Sequence, residues 1–236
     1  MAIQNRDVFL ERLAGRLGRG PRTVGVERPE WTVRPQHKVL VDASQDELVD
    51  VLKRQCKVIH TDFRKTNIES LAQTLDEVIK NYSGNKIIIA NDQRTADAEL
   101  DFYFDRKRAD GCLVHVWDEE IGKENQQRAE QADIGITFSD MTLAESGTIA
   151  LFNDKNQSRS ISLLPHSYIA IIPKSTIVPR FTQAAQQVRK RLAAGEKVGS
   201  CVSLVTGPSN SADIEMHLIV GVHGPVEATY IVVEDM

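Results

Sequence analysis

Apolar residues along this chain fall into short runs and into longer stretches that repeat every three or four positions. The short runs predict β-strands covered on both faces, because a strand with one solvated face alternates polar and apolar residues. Such runs cover residues 87–90, 112–117 and 133–138. Further strands are predicted at residues 58–60, 147–152, 160–164, 168–172, 203–205 and 230–233.

Helix-start signals precede the stretches that have the helical period. A capping-box spacing at residues 44–47 predicts a helix that runs to about residue 56. The same spacing at residues 66–69 predicts a second helix, with Gly84 as its stop. Further helices are predicted at residues 122–131 and 179–194. Strands that alternate with helices predict an α/β fold, with a mixed or parallel sheet flanked by helices.

The first 38 residues differ from the rest of the chain in pattern and in charge. Residues 5–17 predict an amphipathic helix, and the following stretch to residue 35 has no helical period and predicts an extended arm. This segment carries eight basic and four acidic side chains, whereas the whole chain has a formal net charge of -4. We therefore predict an N-terminal helix and extended basic arm, residues 1–38, followed by an α/β domain, residues 39–236.

Composition and charge argue against several classes of protein. The net charge of -4 and the pI of 5.9 argue against nucleic acid as the main partner, because phosphate binding needs clustered positive charge. The three cysteines lie far apart, so this chain alone is not expected to build a zinc site or a four-cysteine iron–sulfur cluster. We expect a cytoplasmic protein, since the sequence shows neither a signal peptide nor an apolar run of about 18 residues.

The first candidate site is a loop between two predicted strands, residues 143–148. Gly147 would let the backbone approach a ligand closely, and Ser146 and Thr148 offer donors for a phosphate or a carboxylate. Glu145 is a candidate catalytic residue, because a carboxylate at a strand end suits general acid–base or acyl-transfer nucleophile chemistry. Glu145 could equally close a turn in contact with solvent.

Two further candidate loops lie near the end of the chain, at residues 206–215 and 221–225. If a helix begins near Ser211, its free N–H groups would point at an anion, although Asp213 and Glu215 could simply complement the helix dipole. His223 is the second candidate catalytic residue, for proton transfer, although a lone histidine near an apolar strand is usually structural. The candidate ligand-binding residues of these loops are Thr206, Gly207, Ser209, Asn210, Asp213 and Gly224.

One further cation and several missing motifs bear on the ligand. Lys174 follows the predicted strand at residues 168–172, where it could meet an anionic ligand or lie exposed. His217 and His223 match no metal-ligand spacing, so no metal site is predicted. The sequence has no G-x-G-x-x-G after a strand, no P-loop and no G-x-S-x-G, which argues against nicotinamide, P-loop and esterase functions.

Several of these motifs occur in the order found in a known protein family. Residues 135–137, 144–148 and 164–166, followed by the loops at 206–215 and 221–225, resemble the LUD-domain family over nearly the whole chain. The resemblance implies a fold like that of ribose-5-phosphate isomerases, glucosamine-6-phosphate deaminases and CoA transferases. In that fold class, loops at strand ends bind phosphorylated or thioester ligands.

The resemblance also implies a role in a bacterial system that oxidises L-lactate to pyruvate with iron–sulfur partner proteins. This chain lacks the ferredoxin-like cysteines of the larger LUD-domain partner, so no cofactor is expected in it and the clusters are expected only in partners. Three functions stay open: an accessory subunit for lactate oxidation, a free-standing enzyme that acts on a phosphorylated or CoA-like molecule with Glu145 as base or nucleophile, and a homo-oligomeric scaffold. We favour the first.

Overall fold

The computed structural model describes residues 4–22, 24–25, 27, 30–196, 198–199, 201–214 and 216–236. The chain forms two compact units, residues 1–35 and residues 36–236. The first unit contains helix α1 (Arg6–Arg16), which confirms the helix predicted at residues 5–17. Its apolar side chains Val8, Phe9 and Leu13 are exposed. Arg28 and Pro29 of the predicted arm lie outside the described residues.

The helices of the second unit begin where side chains cap their first turns. Ser44 and Glu47 form the predicted capping box at the start of α2. The next helix, α3, is capped by Asn67 rather than by Thr66, because Thr66 is the last residue of a strand. The helix bounds are α2 (Gln45–Val58), α3 (Ile68–Asn81), α4 (Gln93–Asp97), α5 (Leu100–Ala109), α6 (Glu124–Glu130), α7 (Arg159–Leu163) and α8 (Phe181–Ala193).

The described strands of the second unit form three sheets. In chain order the strands are β1 (Asp62–Thr66), β2 (Lys86–Ile89), β3 (Leu113–Val116), β4 (Ile134–Phe138), β5 (Met141–Leu143), β6 (Thr148–Asn153), β7 (Ser167–Pro173), β8 (Ile177–Val178), β9 (Cys201–Val205), β10 (Asn210–Ile214), β11 (His217–Val220) and β12 (Glu227–Val233). Six of them form a central sheet in the order β1-β12-β7-β4-β2-β3, and all its neighbours are parallel. The predicted α/β fold is therefore confirmed.

A smaller sheet and a hairpin complete the second unit. The smaller sheet has the order β8-β5-β6-β9, with β5 parallel to β8 and β6 antiparallel to both β5 and β9. Its strand β5 follows β4 after only two residues, so Ser139 and Asp140 connect the two sheets. The antiparallel hairpin β10–β11 forms a separate two-stranded sheet.

Both faces of the central sheet are covered, as the apolar runs predicted. Along β7, Ile169 and Ile171 face a core shared with α3 and α5. The alternate residues Tyr168, Ala170 and Ile172 face a second core, which is shared with α2 and the smaller sheet. A strand that supplies two cores has no solvated face and therefore needs no polar alternation.

Three predictions of local structure were wrong. Residues 58–60 are the end of α2 and the turn after it, not a strand, and residues 160–164 belong mostly to α7. Ser211 lies in β10, so no helix begins there. The sequence-based prediction also missed helices α4 and α5 and strands β1, β5, β8, β10 and β11.

Candidate functional site

Glu145 lies in the tight turn between β5 and β6 and forms an ion pair. The Nε of Arg180 donates to Oε2 of Glu145 at 2.5 Å, and the Glu145 side chain is 41% exposed. This environment differs from the one expected for a nucleophile or base, because the carboxylate is partnered by a guanidinium and reached by water. The geometry therefore gives no support to the free-standing enzyme with Glu145 at its centre.

Hydroxyl groups connect the first predicted loop to the second. The Oγ of Ser146 lies 2.7 Å from Oγ1 of Thr148, which lies 2.8 Å from Oγ1 of Thr206. Thr148 begins β6 and Thr206 follows β9, two antiparallel neighbours, so the pairing of these strands brings the loops together. These two loops therefore meet in the structure, although 58 residues separate the two threonines.

The glycines of these two loops pack against the end of α2 instead of opening toward a ligand. A Cβ on Gly147 would lie 2.7 Å from Cδ1 of Ile59. A Cβ on Gly207 would lie 2.6 Å from the carbonyl oxygen of Ile59. The backbone N–H of Gly207 donates to the hydroxyl of Tyr230, at 2.9 Å. Contact with the Ile59 side chain accounts for Gly147, and close approach to the Ile59 backbone accounts for Gly207.

The third predicted loop closes on the second one. The Oγ of Ser209 accepts a hydrogen bond from the backbone N–H of His223 at 3.1 Å, and the N–H of Ser209 donates to the Pro225 carbonyl. Gly224 lies against Ser209, where a Cβ would be 3.3 Å from the serine Cβ. The His223 side chain is exposed. These contacts tie the two loops together through the backbone.

The remaining predicted residues are spread over the surface. Asn210 and Asp213 lie in β10, where the Asn210 amide donates to the Pro208 carbonyl and Asp213 accepts from the Ser211 hydroxyl. Glu215 lies outside the described residues. Lys174 binds Asp46 at 2.5 Å, at the start of α2, whereas Gly147 and Gly207 contact its end. Because a helix of 14 residues is about 20 Å long, Lys174 does not share a site with the glycine loops.

Two cavities on this unit are formed by residues that the sequence-based prediction did not select. One of them, of about 230 Å³, lies beyond the carboxyl ends of β2 and β4. The chain leaves β2 toward β3 on one side and leaves β4 toward β7 on the other side, so these strands flank the topological switch point of the sheet. Crevices at such points are the usual ligand sites of open α/β sheets. The cavity is lined by Asn91, Asp92, Gln93, Arg94, Asp140, Phe152, Asp154, Asn156 and Gln157.

An arginine held by two carboxylates forms the wall of this switch-point cavity. The Nη2 of Arg94 lies 2.6 Å from Oδ2 of Asp92 and 2.9 Å from Oδ1 of Asp140, and Nη1 donates to the Ser139 carbonyl. The guanidinium also lies 5.1 Å from the centre of the Phe138 ring. The network joins the segment after β2 to the segment after β4.

Burial and neighbouring charges shift the pKa values of Arg94 and Asp140 in opposite directions. Burial raises the pKa of the Asp140 carboxyl above its ordinary value, against the opposing effects of Arg94 and of the Phe152 N–H. Burial also disfavours the charged form of Arg94, but Asp92 and Asp140 outweigh it and raise the pKa of the guanidinium. Arg94 is therefore charged, and the carboxylates of Asp92 and Asp140 balance its positive charge.

A second and larger cavity adjoins the first and shares Asp140, Phe152 and Asp154 with it. Its volume is about 580 Å³, and it lies beyond the carboxyl end of β6. Asn153, the last residue of β6, lines it together with Lys155 and Arg191. Across the described ranges, no group of three or more His, Cys, Asp or Glu side chains is arranged to hold a metal ion.

A simple signal in the sequence would have found the switch-point cavity. Asn91 and Asp92 follow the predicted strand at residues 87–90, and Ser139 and Asp140 follow the one at residues 133–138. Polar residues directly after two buried strands are the same signal that selected the loops at 143–148 and 206–215.

Comparison with known proteins decides the family of this chain. The sequence pattern of the LUD domain matches residues 45–233. The chain belongs to the LUD domain family. The LUD domain spans all the strands of the second unit from β1 to β12, including both sheets that border the two cavities.

Relatives of the LUD domain chain match it along nearly its full length. It is 57% identical to the Lactate utilization protein C of Oceanobacillus iheyensis, over 99% of this chain and 100% of that protein. It is 51% identical to the Lactate utilization protein C of Bacillus subtilis, over 99% of this chain and 98% of that protein.

A solved structure resembles the LUD domain chain in fold. A DUF162 family protein from Deinococcus radiodurans matches with a TM-score of 0.55 and 16% identity, over 81% of this chain and 99% of that chain. At this identity the likeness supports the fold alone. Among the described helices, none combines the length and the apolar character needed to cross a membrane.

Proposed function

We propose that this chain is a component of a bacterial lactate utilization system, in which it takes part in the oxidation of L-lactate to pyruvate. The observation that carries the proposal is the similarity to proteins named Lactate utilization protein C, at 57% and 51% identity over 99% of this chain. Because the similarity includes both units of the chain, it supports a shared role for the whole protein and not for one domain only.

The redox steps of this system belong, in our proposal, to iron–sulfur partner proteins. Cluster ligation requires cysteine thiolates, several of them close together. Cys56 and Cys112 are buried, and Cys201 is half-buried. Burial raises the pKa of the Cys56 thiol to about 12 and also raises the pKa of Cys112, so both favour the protonated form. Reduced, protonated thiols also agree with the cytoplasmic location that we propose.

The electrostatic character of the N-terminal segment supports docking to a partner. Residues 1–38 carry twice as many basic as acidic side chains, whereas the chain as a whole is acidic. A basic arm favours association with an acidic protein surface, chiefly through the rate of encounter. We therefore propose that the segment contributes to binding of the iron–sulfur partners.

Complementation in Bacillus subtilis tests the proposed function. The gene for its Lactate utilization protein C is deleted, and this chain is expressed in its place with an affinity tag. We expect the chain to restore growth on L-lactate as sole carbon source and to co-purify with iron–sulfur proteins from lactate-grown cells. The native protein, carried on the same vector, is the positive control, and growth on glucose is the control for viability. Failure to restore growth at an equal protein level would overturn the proposal.

A further inference from the structure

A buried amide that lacks one of its hydrogen bonds lines the larger cavity. Asn153 is 7% exposed, and its Nδ2 donates to the Ser203 hydroxyl at 2.7 Å and to the Cys201 carbonyl at 3.3 Å. These acceptors determine which end of the amide faces β9. The other end, Oδ1, is buried and has no hydrogen-bond partner among the described residues. Buried acceptors are rarely left unpaired, so a donor on a bound ligand would satisfy this oxygen.

Two side-chain cations line the same cavity. Lys155 and Arg191 border it, and the Arg191 guanidinium lies 5.0 Å from the centre of the Phe152 ring, which orients it. Each cation now contacts an exposed carboxylate, Lys155 that of Glu119 at 3.2 Å and Arg191 that of Glu196 at 2.8 Å. Exposed ion pairs of this kind are weak, so a ligand carboxylate can replace the protein carboxylate at either cation.

The acidic residues of the cavity are already engaged. Asp140 is paired with Arg94 and accepts the Phe152 N–H at 2.7 Å. Asp154 accepts the backbone N–H groups of Asn156 and Gln157, at 2.8 and 2.9 Å. These bonds reduce the repulsion that the two carboxylates would exert on an anionic ligand.

We infer that the cavity lined by Asn153, Lys155 and Arg191 binds a small 2-hydroxy acid, with the ligand hydroxyl donating to Asn153 Oδ1 and its carboxylate pairing with Arg191 or Lys155. The inference rests on the proposed function for the choice of L-lactate as the ligand to test. The unpaired oxygen of Asn153 also determines the preference of the site for L-lactate over pyruvate. The hydroxyl of L-lactate can donate to Oδ1, whereas the oxo group of pyruvate is an acceptor and would face the amide oxygen without a hydrogen bond.

Selectivity of this kind has a measurable size. A site built to accept a hydrogen bond from a ligand hydroxyl disfavours an analogue that cannot donate, because the buried acceptor is left unpaired. Loss of one such bond corresponds to about tenfold in affinity. We expect L-lactate to bind at least about tenfold more tightly than pyruvate or propionate.

Binding of L-lactate, pyruvate and propionate to the full chain is measured by calorimetry, with ligand-observed NMR for weak complexes. Arg191→Ala is expected to weaken L-lactate binding at least about tenfold, because it removes a cation and its stacking on Phe152. Arg189→Ala is the matched control, since Arg189 lies on the same helix and lines a different, apolar cavity. Asn153→Leu is expected to remove the preference for L-lactate over pyruvate.

The outcomes separate this inference from the proposed function. No saturable binding of L-lactate, equal affinity for L-lactate and pyruvate, or an Arg191→Ala variant that binds like the wild type would each overturn the inference. Arg191→Ala keeps the test decisive if Asn153→Leu does not fold. If the chain restores growth in the deletion strain but does not bind L-lactate, the site is wrong and the proposed function stands. If it binds L-lactate but does not restore growth, the proposed function is wrong.

Discussion

The hydroxyl oxygens of Thr148 and Thr206 lie 2.8 Å apart and connect the β5–β6 turn to the segment that follows β9. Thr148 is 7% exposed and also contacts the Ser146 hydroxyl, whereas Thr206 lies at the surface. The pair therefore couples the segment after β9 to a turn that is packed on α2. A buried hydroxyl that loses its partner costs free energy of unfolding, so the pair can be measured.

Replacing these threonines by valine keeps their shape and removes the hydrogen bond. We expect Thr148→Val to lower the free energy of unfolding by about 1–2 kcal/mol and Thr206→Val by about 0.5–1 kcal/mol. The double variant should be less destabilised than the sum of the two, by about 0.5–1 kcal/mol, because both single changes remove the same bond. Urea unfolding gives all three values. Additivity of the two changes would show that the two hydroxyls do not stabilise each other.

Gly207 should tolerate no side chain, for two separable reasons. Its φ is +64°, and a Cβ would lie 2.6 Å from both the Ile59 carbonyl oxygen and Thr61 Oγ1. Gly195→Ala is the matched control, because Gly195 has a φ of +79° and no neighbouring atom within 4 Å of an added Cβ. We expect about 1 kcal/mol of destabilisation for Gly195→Ala and about 3 kcal/mol for Gly207→Ala, measured by urea unfolding. Equal losses would mean that strain alone, and not contact, disfavours alanine at Gly207.

Removing Arg94 should leave two partly buried carboxylates without their cation. We expect Arg94→Met to lower the free energy of unfolding at pH 7.5 by about 2 kcal/mol, since breaking a partly buried ion pair leaves uncompensated charges. Adding Asp140→Asn to this variant should recover part of the loss. Thermal and urea unfolding of the single and double variants test both statements.

The same variant should respond to pH in a direction set by Asp140. Burial raises the pKa of Asp140 in the folded chain, so the folded chain binds a proton at a pH where the unfolded chain does not. The stability of Arg94→Met should therefore rise as pH falls from 7.5 toward 5. In Arg94→Met/Asp140→Asn, this rise should disappear. A rise of the same size in both variants would assign the effect to another group.

Asp76 should make the wild-type chain sensitive to acid. Hydrogen bonds from Lys107 and Lys80 lower the pKa of Asp76 below its ordinary value of 3.8. Its contribution is therefore present above about pH 4 and lost as pH falls through the lower pKa of the folded state. We expect Asp76→Asn to cost about 1 kcal/mol at pH 7 and progressively less at pH 3 and below, by urea unfolding. Glu77→Gln, an exposed neighbour on α3, should have little effect at either pH.

The elements that could be predicted are those whose causes lie within a few residues. The capping box of Ser44 and Glu47 satisfies the first turn of α2 with local hydrogen bonds, and the prediction of this helix was confirmed. The buried strands were predicted because a strand that is covered on both faces has apolar residues at consecutive positions, and this run is visible in the sequence. The two hydroxyl side chains and the glycine of the loop at residues 143–148 could also be selected from the local sequence, although their role in packing could not be predicted.

The elements that could not be predicted depend on contacts between distant segments. Residues 160–164 have a strand-like composition, yet Ser158 caps a short helix there, α7, whose residue Ile161 packs with Ile88 and Ala129. Gly135 makes room for this helix, because a Cβ on it would collide with the Ile161 carbonyl. Tertiary packing thus overrides local preference in α7.

The sequence by itself determined the alternation of helices and strands, the two-sided burial of the central sheet and the membership of the LUD domain family. Only the tertiary structure decided which polar strand ends meet. Asp92 and Asp140 are 48 positions apart in the numbering, and they share Arg94 because β2 and β4 are adjacent in a sheet whose order differs from the order of the chain. The local sequence indicates which faces of a strand are buried, because each buried position requires an apolar residue. It does not indicate the order of the strands in the sheet, because that order depends on the packing of the whole domain.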